Sequence, residues 1–140
     1  MKLVKEFLNE FERGLEPKVA LGIGRVAKIR KCFKDLDISE EDYIIDREGV
    51  IFKYSLLLKK INWLPDNFYI EGSLDLEGTS LTQLPKGLHV KTNLYLNNTQ
   101  ITELPDDLYV KDNIYVNVMQ KKLIAFIQNS IFKDKLKIWY

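Results

Sequence analysis

The chain has 140 residues, 46% of them hydrophobic and 29% charged, which is the composition of one folded domain rather than a disordered segment. Its 21 basic and 20 acidic residues leave a net charge of +1, which argues against a protein that coats polyanions and against an acidic mimic of nucleic acid. A single cysteine, Cys32, excludes an intramolecular disulfide and fits a reducing compartment.

Residues 3–11 place Leu3, Val4, Phe7, Leu8 and Phe11 on one face at helical spacing, which predicts a first amphipathic helix. Charges interrupt these apolar residues, so the segment lacks the continuous apolar run of a signal peptide. No stretch approaches the roughly 18 to 20 apolar residues that cross a bilayer, so the expectation is a cytoplasmic chain with no membrane contact. Gly14 suits the end of the first helix, and Pro17 suits the first turn of a short one.

Gly22-Ile23-Gly24 lies between two apolar helical segments. After it, Val26, Ile29, Phe33 and Leu36 share one face of a helix over residues 25–36, and Cys32 falls near that face as a core residue. The glycine triplet, with Arg25, Lys28 and Lys31 beside it, invites a helix-hairpin-helix reading, in which backbone N–H groups at a helix start hold a nucleic-acid phosphate. Such a turn wants a small residue four positions after its second glycine, where this chain has Lys28. Nucleic acid is therefore the alternative partner, weighed against a structural turn with a solvated basic face.

The middle of the chain repeats. Leu64-Pro65, Leu84-Pro85 and Leu104-Pro105 recur every 20 residues. Stacked on these pairs, further columns agree: Phe68, Leu88 and Leu108; Ile70, Val90 and Val110; Leu74, Leu94 and Ile114; Leu76, Leu96 and Val116. Thr79 matches Thr99, and Leu81 matches Ile101. A degenerate earlier copy aligns Val50, Tyr54, Leu56 and Ile61 with these columns but lacks the Leu-Pro start. Alternation with period two puts each apolar pair on one strand face, while Gly78, Asn97 and Asn98 supply turn chemistry and the prolines suit corners. After the repeats, Leu123, Phe126, Ile127 and Ile131 predict a last amphipathic helix. The tail KLKIWY reads equally as a helix end, a strand or an anchor.

Leu74-x-Leu76-x-x-Thr79-x-Leu81-x-x-Leu84-Pro85 and Leu94-x-Leu96-x-x-Thr99-x-Ile101-x-x-Leu104-Pro105 resemble the leucine-rich repeat family, especially its short bacterial form and repeat proteins encoded by bacteriophages and prophages. The resemblance covers about residues 44–118, and the segment FERGLEPKVALGIG is similar to the start of the phage proteins. The chain departs from the family where Thr79 and Thr99 stand in place of asparagine, and where Met119 and Lys121 end the pattern. The resemblance implies an α+β fold, a short leucine-rich-type β-solenoid of three to four coils. N-terminal helices (residues 1–38) and a C-terminal helix (residues 119–140) would cap the repeats (residues 39–118) in one domain. It implies a protein-binding scaffold without identifying the partner; the likeness to phage proteins suggests a host bacterial protein, defence or regulatory, bound so as to inhibit it.

Between the inward columns, outward ones read Tyr69, His89, Tyr109 and Asp75, Tyr95, Tyr115, with Asn97 and Asn117 alongside. Tyrosines give rigid contact area with a polar tip, and asparagines give adaptable hydrogen bonds, so these residues form the candidate partner-binding stripe. The same tyrosines also serve as cross-strand ladders that stabilise a sheet. His89 is the lone histidine, without the carboxylates or cysteines that metal binding or base catalysis would need. Asn97-Asn98-Thr99 matches a glycosylation sequon that the repeat itself explains. Phosphate loops, dinucleotide fingerprints and nucleophile elbows are lacking, so the expectation is a non-enzymatic binding protein without cofactor or metal, its oligomeric state open.

Overall fold

The structure, a computed structural model, describes residues 17–140, with side chains from residue 24 onward. The helix expected over residues 3–11 and its Gly14 end lie outside the described residues. In chain order the elements are α1 (Pro17–Asp35), β1 (Tyr43–Ile45), β2 (Val50–Phe52), β3 (Leu56–Leu57), β4 (Phe68–Ile70), β5 (Leu74–Asp75), β6 (His89–Val90), β7 (Leu94–Tyr95), β8 (Tyr109–Val110), β9 (Ile114–Asn117), α2 (Lys121–Gln128) and β10 (Leu136–Trp139).

Each 20-residue repeat contributes one strand to each of two sheets. The first sheet runs β1-β2-β4-β6-β8 and the second β10-β9-β7-β5-β3. All pairings are parallel except β1 with β2, a hairpin in which Asp46 Oδ1 accepts the N–H groups of Glu48 and Gly49. Phe68, Ile70, Leu74, Leu76 and their counterparts in the next two repeats are buried, and one apolar cluster continues from Val26 on α1 to Phe132 after α2.

This architecture corrects the expected α+β solenoid of three to four coils. The described residues form two α-helices and two largely parallel sheets, an α/β-like arrangement without a closed coil. The physical reason lies in the Leu-Pro segments. Residues 76–88 and 96–108 carry no strand; proline lacks the N–H that a ladder needs, and Leu81, Leu84, Ile101 and Leu104 bury as single anchors. The C-terminal end is also not closed by a helix alone, because the KLKIWY tail supplies β10, which adds to the second sheet.

Hydrogen bonds along the stack hold the register. At the corner between the sheets, Ser55 Oγ accepts the Ser73 N–H, Ser73 Oγ that of Asn93, and Asn93 Oδ1 that of Asn113. Thr79 and Thr99 form no such ladder. Each hydroxyl donates to the carbonyl three residues back, Leu76 at 2.8 Å and Leu96 at 2.9 Å, and so closes its own turn. Gln120 ends that column by donating from Nε2 to the Leu96 carbonyl at 2.8 Å and accepting the Asn117 N–H at 2.7 Å. Left-handed corners fall at equivalent places, Gly78 (φ 74°) with Asn98 (φ 58°), where glycine and asparagine carry the least strain.

The N-terminal region departs further from expectation. Gly22-Ile23-Gly24 forms no turn, since both glycines lie inside α1, one continuous 19-residue helix whose first residue is Pro17. A glycine inside a helix costs about 1 kcal/mol relative to alanine. Burial of Val26, Ile29 and Phe33 against the first repeat is worth more, at roughly 1.5–3 kcal/mol per large side chain. A Cβ at Gly24 would meet nothing within 4 Å. Gly24→Ala is therefore expected to stabilise the protein by up to about 1 kcal/mol, read as a higher urea midpoint. A lower midpoint would restore the turn.

Candidate interaction surface

The outward positions of the first sheet form one row in register: Ile44 on β1, Ile51 on β2, Tyr69 on β4, His89 on β6 and Tyr109 on β8. Strands lie about 4.8 Å apart, so the row is roughly 19 Å long. The His89 ring lies between two tyrosines, with centroids 5.4 Å from Tyr69 and 4.3 Å from Tyr109, and it is nearly parallel to the latter. The rings spend their faces on one another, which leaves ring edges and the tyrosine hydroxyls for a partner. Tyr69 and Tyr109 remain 39% and 48% exposed, so the ladder does not consume them.

Two residues further along each strand runs an exposed, mostly basic border of Lys53, Glu71, Lys91 and Lys111. Lys91 pairs with Glu71 at 3.3 Å, and Lys53 Nζ donates to the Glu41 carbonyl at 2.9 Å. These contacts are solvent-exposed and contribute little to stability.

Asp75, Tyr95 and Tyr115 belong to the second sheet, so the structure divides the expected stripe into two rows. Leu57, Asp75, Tyr95, Tyr115 and Lys137 share the second row. Tyr95 and Tyr115 stack at 4.8 Å with 9° between their planes, and Trp139 meets Tyr115 edge-on at 5.5 Å. Both tyrosines are half-buried. Asp75 Oδ1 accepts the Glu77 N–H and Asn117 Oδ1 the Met119 N–H, so both side chains are engaged in turns. Asn97 is not an outward contact residue at all. It is 2% exposed, burial that also removes it as a glycan acceptor, and among the described residues its side-chain amide has no hydrogen-bond partner.

The row includes Ile44 and Ile51, which sequence reasoning missed. The repeat pattern is weakest there, and β1 joins by an antiparallel hairpin that no repeat column can show. The available signal was the short β-branched run Tyr43-Ile44-Ile45, which favours a strand without telling its two faces apart. Trp139 was hidden in the ambiguous tail, although Leu136-x-Ile138 alternates with period two.

The basic residues near the glycine pair are not arranged as a phosphate site. Gly22 and Gly24 lie within the helix, Arg25 Nη2 donates to the Asp66 carbonyl at 2.6 Å, and Lys28 Nζ sits 4.1 Å from the centroid of the Trp63 ring. Lys31 borders the half-buried Cys32, whose thiol is pushed up by burial and then by the Asp35 charge, with Lys28 opposing. A raised thiol pKa means less thiolate and lower reactivity. Among the described residues no group of three or more His, Cys, Asp or Glu side chains is placed to hold a metal, and no helix is long and apolar enough to cross a membrane. No protein-family model, curated protein or solved structure matches the chain.

Proposed function

We propose that this chain is a non-enzymatic protein-binding protein that presents the Ile44–Ile51–Tyr69–His89–Tyr109 row to a protein partner. The observation that supports it is the row itself: five apolar or aromatic side chains in register across all five strands of one sheet, with its two tyrosines exposed. Contiguous apolar surface of this kind marks interaction sites, and tyrosine is enriched among residues whose truncation costs binding. The basic border Lys53, Lys91 and Lys111 favours a partner with acidic groups beside its apolar contact. The resemblance to phage-encoded repeat proteins directs the search to a bacterial host protein, whose own contacts the bound chain would block; that step is analogy at the level of fold.

The test is affinity capture from nuclease-treated bacterial lysate with wild type, Tyr69→Ala/Tyr109→Ala and Tyr95→Ala/Tyr115→Ala. One stoichiometric protein should be retained by wild type and by the second variant. The first variant should lose it, with affinity for the purified partner falling about 30-fold or more. Equal capture by both double variants would remove the row from consideration. Recovery of only nuclease-sensitive material would turn attention to nucleic acid.

A further inference from the structure

Among the described residues, the second sheet ends on an open edge. β10 lies outermost, and no described strand pairs with its far side. The Trp139 carbonyl accepts from Val118 on the inner side at 2.8 Å. Backbone groups alternate along a strand, so the N–H and C=O of Ile138 point the other way, outward from the sheet. The Leu136 carbonyl points outward as well, while its N–H is occupied by the Lys133 carbonyl. Leu136 and Ile138 pack on the core yet stay half-buried, as the last layer of a stack must. Trp139 is 48% exposed, and Tyr140, which follows it, is 95% exposed.

We propose that this edge pairs with the same edge of a second copy, β10 against β10 in antiparallel fashion about a two-fold axis through Ile138. The side-chain pattern selects that register. An axis between two residues would set Lys137 opposite Ile138 and bring a charge onto the apolar face, since opposed residues share a face. An axis through Lys137 would set the two ammonium groups directly against each other. An axis through Ile138 places Ile138 on Ile138 over the core and Lys137 opposite the partner's Trp139 on the outer face, a cation against an aromatic ring, twice by symmetry.

The backbone fits the same register. Opposed Ile138 residues exchange both hydrogen bonds, and each Tyr140 N–H reaches the partner's Leu136 carbonyl. Head-to-tail growth is the competing arrangement. It would use β3, whose edge offers only two residues, and would produce open chains rather than a closed pair.

Light scattering on the full chain at about 100 µM, where a low-micromolar dissociation constant leaves most chains paired, tests this. Wild type should give twice the 16.4 kDa chain mass. Trp139→Lys places lysine opposite Lys137 and should return a monomer. Trp139→Glu creates an ion pair at the same position and should retain the dimer. Both variants are outward and should keep the wild-type circular dichroism. A monomeric wild type, a mass that grows with concentration beyond two chains, or identical behaviour of the two variants would each overturn the proposal.

Discussion

Leu94→Asp is expected to abolish folding. Leu94 is fully buried on β7, with Leu74 and Ile114 in register on either side. An aspartate there loses the transfer energy of a buried leucine, about 2 kcal/mol or more, and places a carboxylate among aliphatic side chains without a hydrogen-bond partner. The second effect is the larger, several kcal/mol even after relaxation. Together they approach the 5–15 kcal/mol that is typical of total domain stability. The adjacent Tyr95 faces outward and is half-buried, so Tyr95→Ala should leave the chain folded with a loss of about 1 kcal/mol. Circular dichroism and urea unfolding of the two variants check this, and a folded Leu94→Asp beside an unfolded Tyr95→Ala would invert the strand faces.

Phe33→Ala is expected to cost about 3–5 kcal/mol and to loosen α1 from the sheets. Phe33 is fully buried, edge-on to Tyr43 at 4.7 Å and 5.8 Å from Phe68, so it joins the helix to both the β1 hairpin and the first full repeat. Truncation leaves a cavity between three elements. Phe33→Leu keeps most of the volume and should cost less than about 2 kcal/mol. Urea midpoints give the energies, and hydrogen exchange should show α1 amides opening before those of β4, β6 and β8 in the alanine variant. Equal protection of helix and sheet would mean that the helix is held by contacts other than this ring.

Several elements were legible because their signals are local. Period-two alternation identifies the buried columns through Phe68, Ile70, Leu74 and Leu76, since a strand sends successive side chains to opposite faces whatever lies beyond it. Gly78 and Asn98 mark corners because few residues tolerate positive φ. Pro17 suits the first turn of a helix for the equally local reason that its missing N–H is not needed there, although the helix is 19 residues long and not the short one expected.

The features that misled are those where a local preference met a larger distant one. Gly22 and Gly24 favour a break by about 1 kcal/mol each, yet Val26, Ile29 and Phe33 bury against residues far along the chain and the helix runs through. Thr79 and Thr99 stand in place of the family's asparagine, and each hydroxyl finds a carbonyl three residues away rather than a partner in the next repeat.

By itself, then, the sequence determined the 20-residue period, the inward and outward alternation of each strand and the chemistry of the corners, all consequences of backbone geometry within a few residues. Only the tertiary structure decided that the strands divide between two sheets, that the Tyr69 and Tyr95 columns therefore lie on different sheets, and that Asn97 is buried. It likewise decided that β1 and the tail extend the two sheets in opposite directions. Alternation is the same whichever strand a residue pairs with. The β1–β2 hairpin aside, pairing is chosen by contacts between segments 18 or more residues apart, and their energies appear only when the chain has closed on itself.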